Sequence, residues 1–172
     1  KERFELLDGG DFWLSDQPNE PGSLSWGGLF PRTVSWARLR AKENGQELLF
    51  ANTHFDLVPA ARRHSAELLR SWLQANSNGS SVILTGDFNA NKRSRVYEAL
   101  THGSWLTDAW RQANPDARDK ATFHGFGNPK ARACIDWVLA SPSLHVLSAS
   151  VDTTTQAGRY PSDHYPLQVE IE

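Results

Sequence analysis

The chain is poor in cysteine: Cys134 is the only one among 172 residues. No disulfide can form within it, and a cysteine-rich zinc site is excluded. It lacks long apolar runs, and none approaches the roughly 18 residues that a bilayer span needs. It lacks a surplus of either charge: 18 Lys and Arg stand against 20 Asp and Glu, a net charge of -2. A nucleic-acid domain usually shows a basic face. The cationic runs here, Arg62-Arg63 and Lys92-Arg93-Ser94-Arg95, are short and read as solvated surface. Repeats and low-complexity stretches are missing. So are a Gly-x-Ser-x-Gly elbow and a Gly-x-x-x-x-Gly-Lys loop. The last two absences weigh against an elbow-type serine hydrolase and against nucleotide-triphosphate hydrolysis of the phosphate-loop kind.

What is present is aromatic. Seven Trp and eight Phe supply large apolar surfaces for a core, and the length fits one domain. Residues 3–8 alternate and read as a strand, with Gly9-Gly10 as a turn. Residues 16–28 are rich in Pro, Gly and Ser and read as a surface loop. Residues 33–39 and 47–53 read as strands joined by a tight turn at Asn44-Gly45. The clearest helix is 59–74, opening on Pro59, with Ala61, His64, Ser65, Leu68, Leu69, Trp72 and Leu73 at helical spacing. A buried strand is expected at 81–85 and a short helix at 95–100. Further strands are expected at 133–140, 144–151 and 165–171. Strands with a strong helix between them predict an α/β or α+β layered sheet, a sandwich with helices outside. Because Lys1 opens within what reads as a strand, a cut rather than a biological start is expected there.

The polar residues that draw attention stand just past strand ends, where sites in layered sheets form. They are His54, then Asp87 and Asn89 in Gly86-Asp87-Phe88-Asn89, then Asp136, then Asp163-His164. Each has an ordinary reading. Asp87, Asn89 and Asp163 suit turns or caps, and His54 suits a half-buried histidine. Asp136 is harder to dismiss: within Ile135-Asp136-Trp137-Val138-Leu139 it needs a partner if buried, and histidine is the natural one. The run Asp87-x-Asn89-x-Asn91 with Glu98 mimics a calcium loop, but Lys92 stands where that loop needs Gly.

Taken in order, Asn52-Thr53-His54, Gly86-Asp87-Phe88-Asn89, Ile135-Asp136-Trp137 and Ser162-Asp163-His164 resemble the endonuclease/exonuclease/phosphatase family. Each motif alone is weak; four in the right order are a strong signal. The stretch from Phe12-Trp13-Leu14-Ser15 to Pro31-Arg32 looks like that of uncharacterised bacterial members. The resemblance implies a four-layer α/β sandwich of the deoxyribonuclease I-like type, of which residues 1–172 form the C-terminal two-thirds.

It also implies hydrolysis of a phosphodiester or phosphomonoester by water, dependent on Mg²⁺ or Mn²⁺. His164 would contact the phosphate or activate the water, with Asp136 orienting it. Asp87 would orient or deprotonate the water, and Asn89 would fix Asp87. His54 would donate to a phosphate oxygen. Asp163 would lie at the metal, and Arg32 and Asn52 would meet the substrate. Implied substrates are nucleic acid, a lipid headgroup, or a sugar or inositol phosphate; no membrane span is implied.

The chain departs from the family pattern in three ways. Members run to about 250 residues, and the first half normally supplies an Asn and a metal-binding Glu that have no match here. Glu2 and Glu5 are poor substitutes. Cys134 replaces a common Arg, and Ala133 stands where abasic-site nucleases carry a Trp. His124 in Thr122-Phe123-His124-Gly125-Phe126 is read as filling a turn. Two other readings stay open: a binding module that has lost catalysis, and a half-domain that self-associates through exposed sheet edges.

Overall fold

The computed structural model describes residues 2–172. In chain order the elements are β1 (Phe4–Trp13), β2 (Thr33–Ala41), β3 (Glu47–His54), α1 (Pro59–Asn76), β4 (Ser81–Asp87) and α2 (Arg95–Thr101). A short 3₁₀ turn follows at His102–Ser104. Then come β5 (Thr107–Asp108), α3 (Ala109–Ala113), β6 (Asp136–Ala140), β7 (Val146–Val151) and β8 (Leu167–Ile171). Six strands form one mixed sheet in the order β1-β2-β3-β4-β6-β5, and β7 and β8 form an antiparallel pair. The class is α/β, as expected.

Alternation along the strands sorts the residues onto two faces. Val34, Leu49, Ala51, Val82, Leu84, Trp137 and Leu139 point to one side and are buried. There they meet Leu69 and Leu73 of α1 and Val96 and Leu100 of α2 in a single core. At about 25 cal/mol per Å², each such Leu or Val contributes roughly 1.5–3 kcal/mol by leaving water. On the other side Leu48, Phe50, Ile83 and Val138 are only half-buried.

Helix α1 begins on Pro59, whose missing N–H costs nothing in a first turn. Its buried face is Ala61, Ser65, Ala66, Leu69 and Leu73. His64, expected on that face, lies outside it and stacks on Trp26 at 5.2 Å. The parallel β3–α1–β4 unit is what sets the ends of β3 and β4 side by side.

Three sequence expectations are corrected. Gly9-Gly10 is not a turn; β1 continues through it, with a bulge between Leu6 and Asp8. The reason is packing. A Cβ at Gly9 would sit 3.0 Å from the Trp36 carbonyl oxygen, so the glycine lets the two strands approach there. The strand expected at 133–140 begins only at Asp136, so Asp136 opens the strand and its side chain keeps 24% of its exposure. Helix α3 was not foreseen. It is only five residues long and is set by Asp108, whose carboxylate accepts from the N–H groups of Trp110 and Arg111.

Candidate active site

In the register of the sheet, His54 lies opposite Asp87 across the β3–β4 pair, and Asp87 lies opposite Asp136 across β4–β6. The three residues therefore form one row across three adjacent strand ends. Each is followed by a buried aromatic residue: Phe55, Phe88 and Trp137. Successive side chains on a strand point to opposite faces. When the aromatic enters the core, its predecessor is turned to the open side. The aromatics lock together beneath the row, with Phe88 stacked on Trp137 at 4.5 Å and edge-on to Phe55 at 5.1 Å. At Gly86 the strands approach so closely that a Cβ would lie 2.3 Å from the Thr53 carbonyl oxygen. Glycine at this position lets Asp87 stand next to His54.

The fourth member comes from a loop. His164 is tied to the sheet region by an isolated bridge to Phe123 and by ring contact with it at 5.0 Å. Its Nδ1 lies 2.8 Å from Asp136 Oδ2, so the expected histidine–aspartate pair is present. Its Nε2 is 3.8 Å from Asp87 Oδ2, and His54 Nε2 is 3.4 Å from the same oxygen. The Thr122 hydroxyl oxygen accepts from the N–H groups of Ile135 and Asp136 and fixes the backbone that carries the pair.

Asp87 serves a turn and the site at once. Its Oδ1 accepts from the Asn89 N–H at 2.8 Å, an Asx turn that places Asn89 at φ 48°, a region Asn tolerates better than most residues. The other oxygen, Oδ2, faces the two histidines. The Asn89 amide in turn donates to the Phe55 carbonyl at 2.9 Å.

Electrostatics follow from this crowding. Burial pushes the Asp87 carboxyl above its usual range; Asp136 adds to the rise, and the Asn89 N–H and both histidines oppose it. Burial lowers the His54 imidazole, with Arg32 and His164 acting in the same direction against the opposing pull of Asp87 and Asp136. His54 is therefore held neutral near pH 7.

The remaining expected residues are placed as follows. Asn52 lines the same hollow of about 510 Å³ as His54, Asp87, Asp136 and His164, and its side-chain oxygen accepts from the Thr85 hydroxyl at 2.8 Å. Arg32 is an electrostatic neighbour of His54, its guanidinium lies 5.3 Å from the Phe30 ring centre, and its Nε is buried without a hydrogen-bond partner among the described residues. Asp163 stands between Ser162 and His164, which line the hollow, but it is not in the lining, and its carboxylate is outside the close group formed by Asp87, Asp136 and His164. Glu5 lies at the far end of the sheet, opposite Arg40, with which it pairs at 3.7 Å. Cys134 is no nucleophile: burial pushes its thiol up to about 11.

One positioning residue escaped the sequence reading. Asp56 is 2% exposed. Its carboxylate accepts from the N–H groups of Leu29, Phe30 and Val58. Burial pushes this carboxyl up, but the three N–H groups and Arg32 outweigh it and leave it below the usual range. It fastens the 28–32 loop, and with it Arg32, beside His54. The signal was available: a carboxylate two residues past a strand-end histidine, before a proline-led helix with no side-chain cap of its own.

The donor types fit a hard dication in part. Asp87, Asp136 and His164 can each offer an atom within 4.8 Å of the others. Two carboxylates suit Mg²⁺, which keeps several waters and binds few protein oxygens. The Asp136 oxygen, however, is already engaged by His164.

Comparison with known proteins agrees with this fold. Over its full length the chain is 32% identical to a mannosyl-6-phosphatase from Bacteroides thetaiotaomicron VPI-5482, with a TM-score of 0.86 and 68% of that chain covered. It is 31% identical to an endonuclease/exonuclease/phosphatase from Bacteroides vulgatus, with a TM-score of 0.90, 100% of this chain and 67% of that one covered. It is also 27% identical over 130 residues to the 3'-5'-exoribonuclease subunit Ccr4 of the CCR4-Not complex of Candida albicans. That match takes in 66% of this chain and only 16% of the relative's length. The family model described as "Endonuclease/Exonuclease/phosphatase family" matches residues 5–164, and the chain belongs to that family.

Proposed function

We propose that the protein hydrolyses a phosphoester by attack of water at phosphorus, aided by Mg²⁺ or Mn²⁺. One observation carries this reading: His54, Asp87 and Asp136 stand in register across three strands, with His164 bonded to Asp136 at 2.8 Å. Two imidazoles and two carboxylates facing one hollow can hold a tetrahedral anion and move a proton beside it. The family assignment and the named relatives, a sugar-phosphate phosphatase and a ribonuclease subunit, support phosphoester chemistry.

The roles follow from the contacts. With Asp136 accepting from Nδ1–H, the neutral His164 ring leaves Nε2 free to accept a proton or, once protonated, to donate to a phosphate oxygen. Asp87 Oδ2 lies 3.4 and 3.8 Å from the two histidines, and the wider gap is one that a water can bridge. The raised basicity of Asp87 suits it to take the proton of that water as its oxygen bonds to phosphorus and the bond to the leaving oxygen breaks. His54, held neutral, donates Nε2–H to a non-bridging oxygen and stabilises the developing charge. Asn89 holds Asp87, while Arg32 and Asn52 meet the phosphate and its substituent. A bound dication would offset the charge that repels the nucleophile, with the Asp87 and Asp136 carboxylates beside His164 as the clustered donors that would hold it.

The test is hydrolysis of p-nitrophenyl phosphate and bis-p-nitrophenyl phosphate by the full-length protein with and without Mg²⁺ or Mn²⁺. Turnover that needs the metal and is lost in both Asp87→Ala and His164→Ala supports the reading. Wild-type rates in either variant would sink the assignment. No hydrolysis of either ester would favour a binding module instead.

A further inference from the structure

A second cavity, of about 690 Å³, opens on the other side of His164 and shares His164, Tyr165 and Pro166 with the hollow of the row. We propose that this cavity receives the alcohol half of the substrate, and that this alcohol is a polyhydroxylated ring, a sugar or cyclitol. The proposal rests on the phosphoester-hydrolase reading, because His164 is what joins the cavity to the site of P–O cleavage.

One wall is aromatic. The His124 ring stacks on Tyr165 at 3.8 Å with 15° between planes, and lies 4.5 Å from the Tyr160 ring. Tyr160 is seated on Gly127, where a Cβ would fall 2.7 Å from its ring. His124 is 2% exposed. It fills a turn, as expected, since its Nδ1 accepts from the Gly127 N–H at 3.0 Å. That bond puts the neutral ring's proton on Nε2, and Nε2 is buried without a partner among the described residues. Closed in by both tyrosine rings, His124 braces them from behind and meets no ligand itself.

The opposite wall is a polar hairpin tip. Gln156 and Arg159 exchange both backbone hydrogen bonds around Ala157-Gly158, at φ 49° and 73°. Asp152, Thr154, Gln156 and Arg159 line the space, with the Thr154 N–H and hydroxyl donating to one Asp152 carboxylate oxygen.

The two walls select a class of ligand. A pyranose or cyclitol ring has an apolar C–H face and a rim of hydroxyls that both donate and accept. The tyrosines match the face; the carboxylate, hydroxyl, amide and guanidinium match the rim. A nucleic-acid strand needs several cations for its phosphates, whereas Arg159 is the only Lys or Arg in this lining and Asp152 offsets it. An acyl chain would leave the polar tip unpaired.

The experiment is calorimetric titration of the full-length Asp87→Asn protein, in which turnover is blocked. The probes are mannose 6-phosphate, glucose 6-phosphate, myo-inositol 1-phosphate, adenosine monophosphate and ethyl phosphate. At least one sugar or cyclitol phosphate should bind tenfold or more tighter than ethyl phosphate. Adding Tyr160→Ala or Arg159→Gln should collapse that ratio to within about threefold of one, and Tyr160→Phe should restore most of it. The proposal is overturned if no sugar or cyclitol phosphate outbinds ethyl phosphate, if adenosine monophosphate outbinds them all, or if the ratio survives both substitutions. Selective binding by a wild-type protein that cleaves none of these esters would sink the hydrolase reading while supporting the pocket.

Discussion

Strands β3, β4 and β6 carry His54, Asp87 and Asp136 on ladder hydrogen bonds and on a stack of three buried aromatics. His164 and the 152–161 segment hang instead on a loop, held by a bridge to Phe123, by ring contacts and by a two-residue hairpin tip. The first region cannot shift one residue without breaking a sheet register. The second can move by small rotations of exposed backbone. Fixed geometry belongs with chemistry common to many esters, and an adjustable wall belongs with choosing among them. The row can be altered only at the cost of the core behind it, whereas the loop can be rebuilt at little cost to the fold.

The largest expected effect lies in the row and in the histidine bonded to it. Asp87→Ala and His164→Ala should each lower kcat by on the order of 10³-fold or more, read with p-nitrophenyl phosphate and Mg²⁺. Next is Trp137→Ala, which removes the largest fully buried side chain beneath the row. It should cost about 3–5 kcal/mol in chemical denaturation. A loss under 1 kcal/mol would mean that the stack does not support the row.

Asp136→Asn keeps the shape but weakens the bond to His164, and should cost on the order of 10²-fold in kcat. It also removes a negative neighbour that raises the Asp87 carboxyl. The acid limb of the residual pH profile should then move to lower pH; a limb that stays put or rises would contradict the coupling.

A fourth test concerns stability alone. Burial raises the Asp87 carboxyl, so folding favours its protonated form. That contribution is present below the unfolded pKa of about 3.9 and is lost as pH rises through the higher folded value. Ionised Asp87 therefore costs stability at pH 7, and Asp87→Asn should melt at or above the wild-type Tm there. The advantage should shrink as pH falls toward 4. A Tm well below wild type at pH 7 would show that the charge is better solvated than its burial indicates. The smallest effect is expected on the loop: Gln156→Ala, at an exposed hairpin tip, should change stability by no more than about 0.5 kcal/mol.

The local elements were legible because their causes are local. Alternation marked β2, the tight turn at Asn44-Gly45 marked its return strand β3, and a short β-branched run bounded by glycine marked β4; proline and helical spacing marked α1. The four motifs with polar groups at strand ends named the site, because residues that would spoil a core are conspicuous beside Phe55, Phe88 and Trp137. Gly9-Gly10 misled because the demand on those glycines comes from Trp36, a residue on the neighbouring strand. Asp56 passed unnoticed, and His124 was read only as a turn residue, for the same reason: their further meaning lies in partners 26 or 27 positions away, or in a ring stack that joins residues 124, 160 and 165.

By itself, the order of residues determined the fold class, the presence of most strands and the identity of the polar groups, since hydrophobic periodicity and turn chemistry act over a few neighbours. Only the tertiary structure decided that three of those groups share one register row, that His164 reaches Asp136, and that a second cavity opens beside them. Those outcomes depend on strand pairing and loop closure between distant segments, which no short stretch of chain encodes.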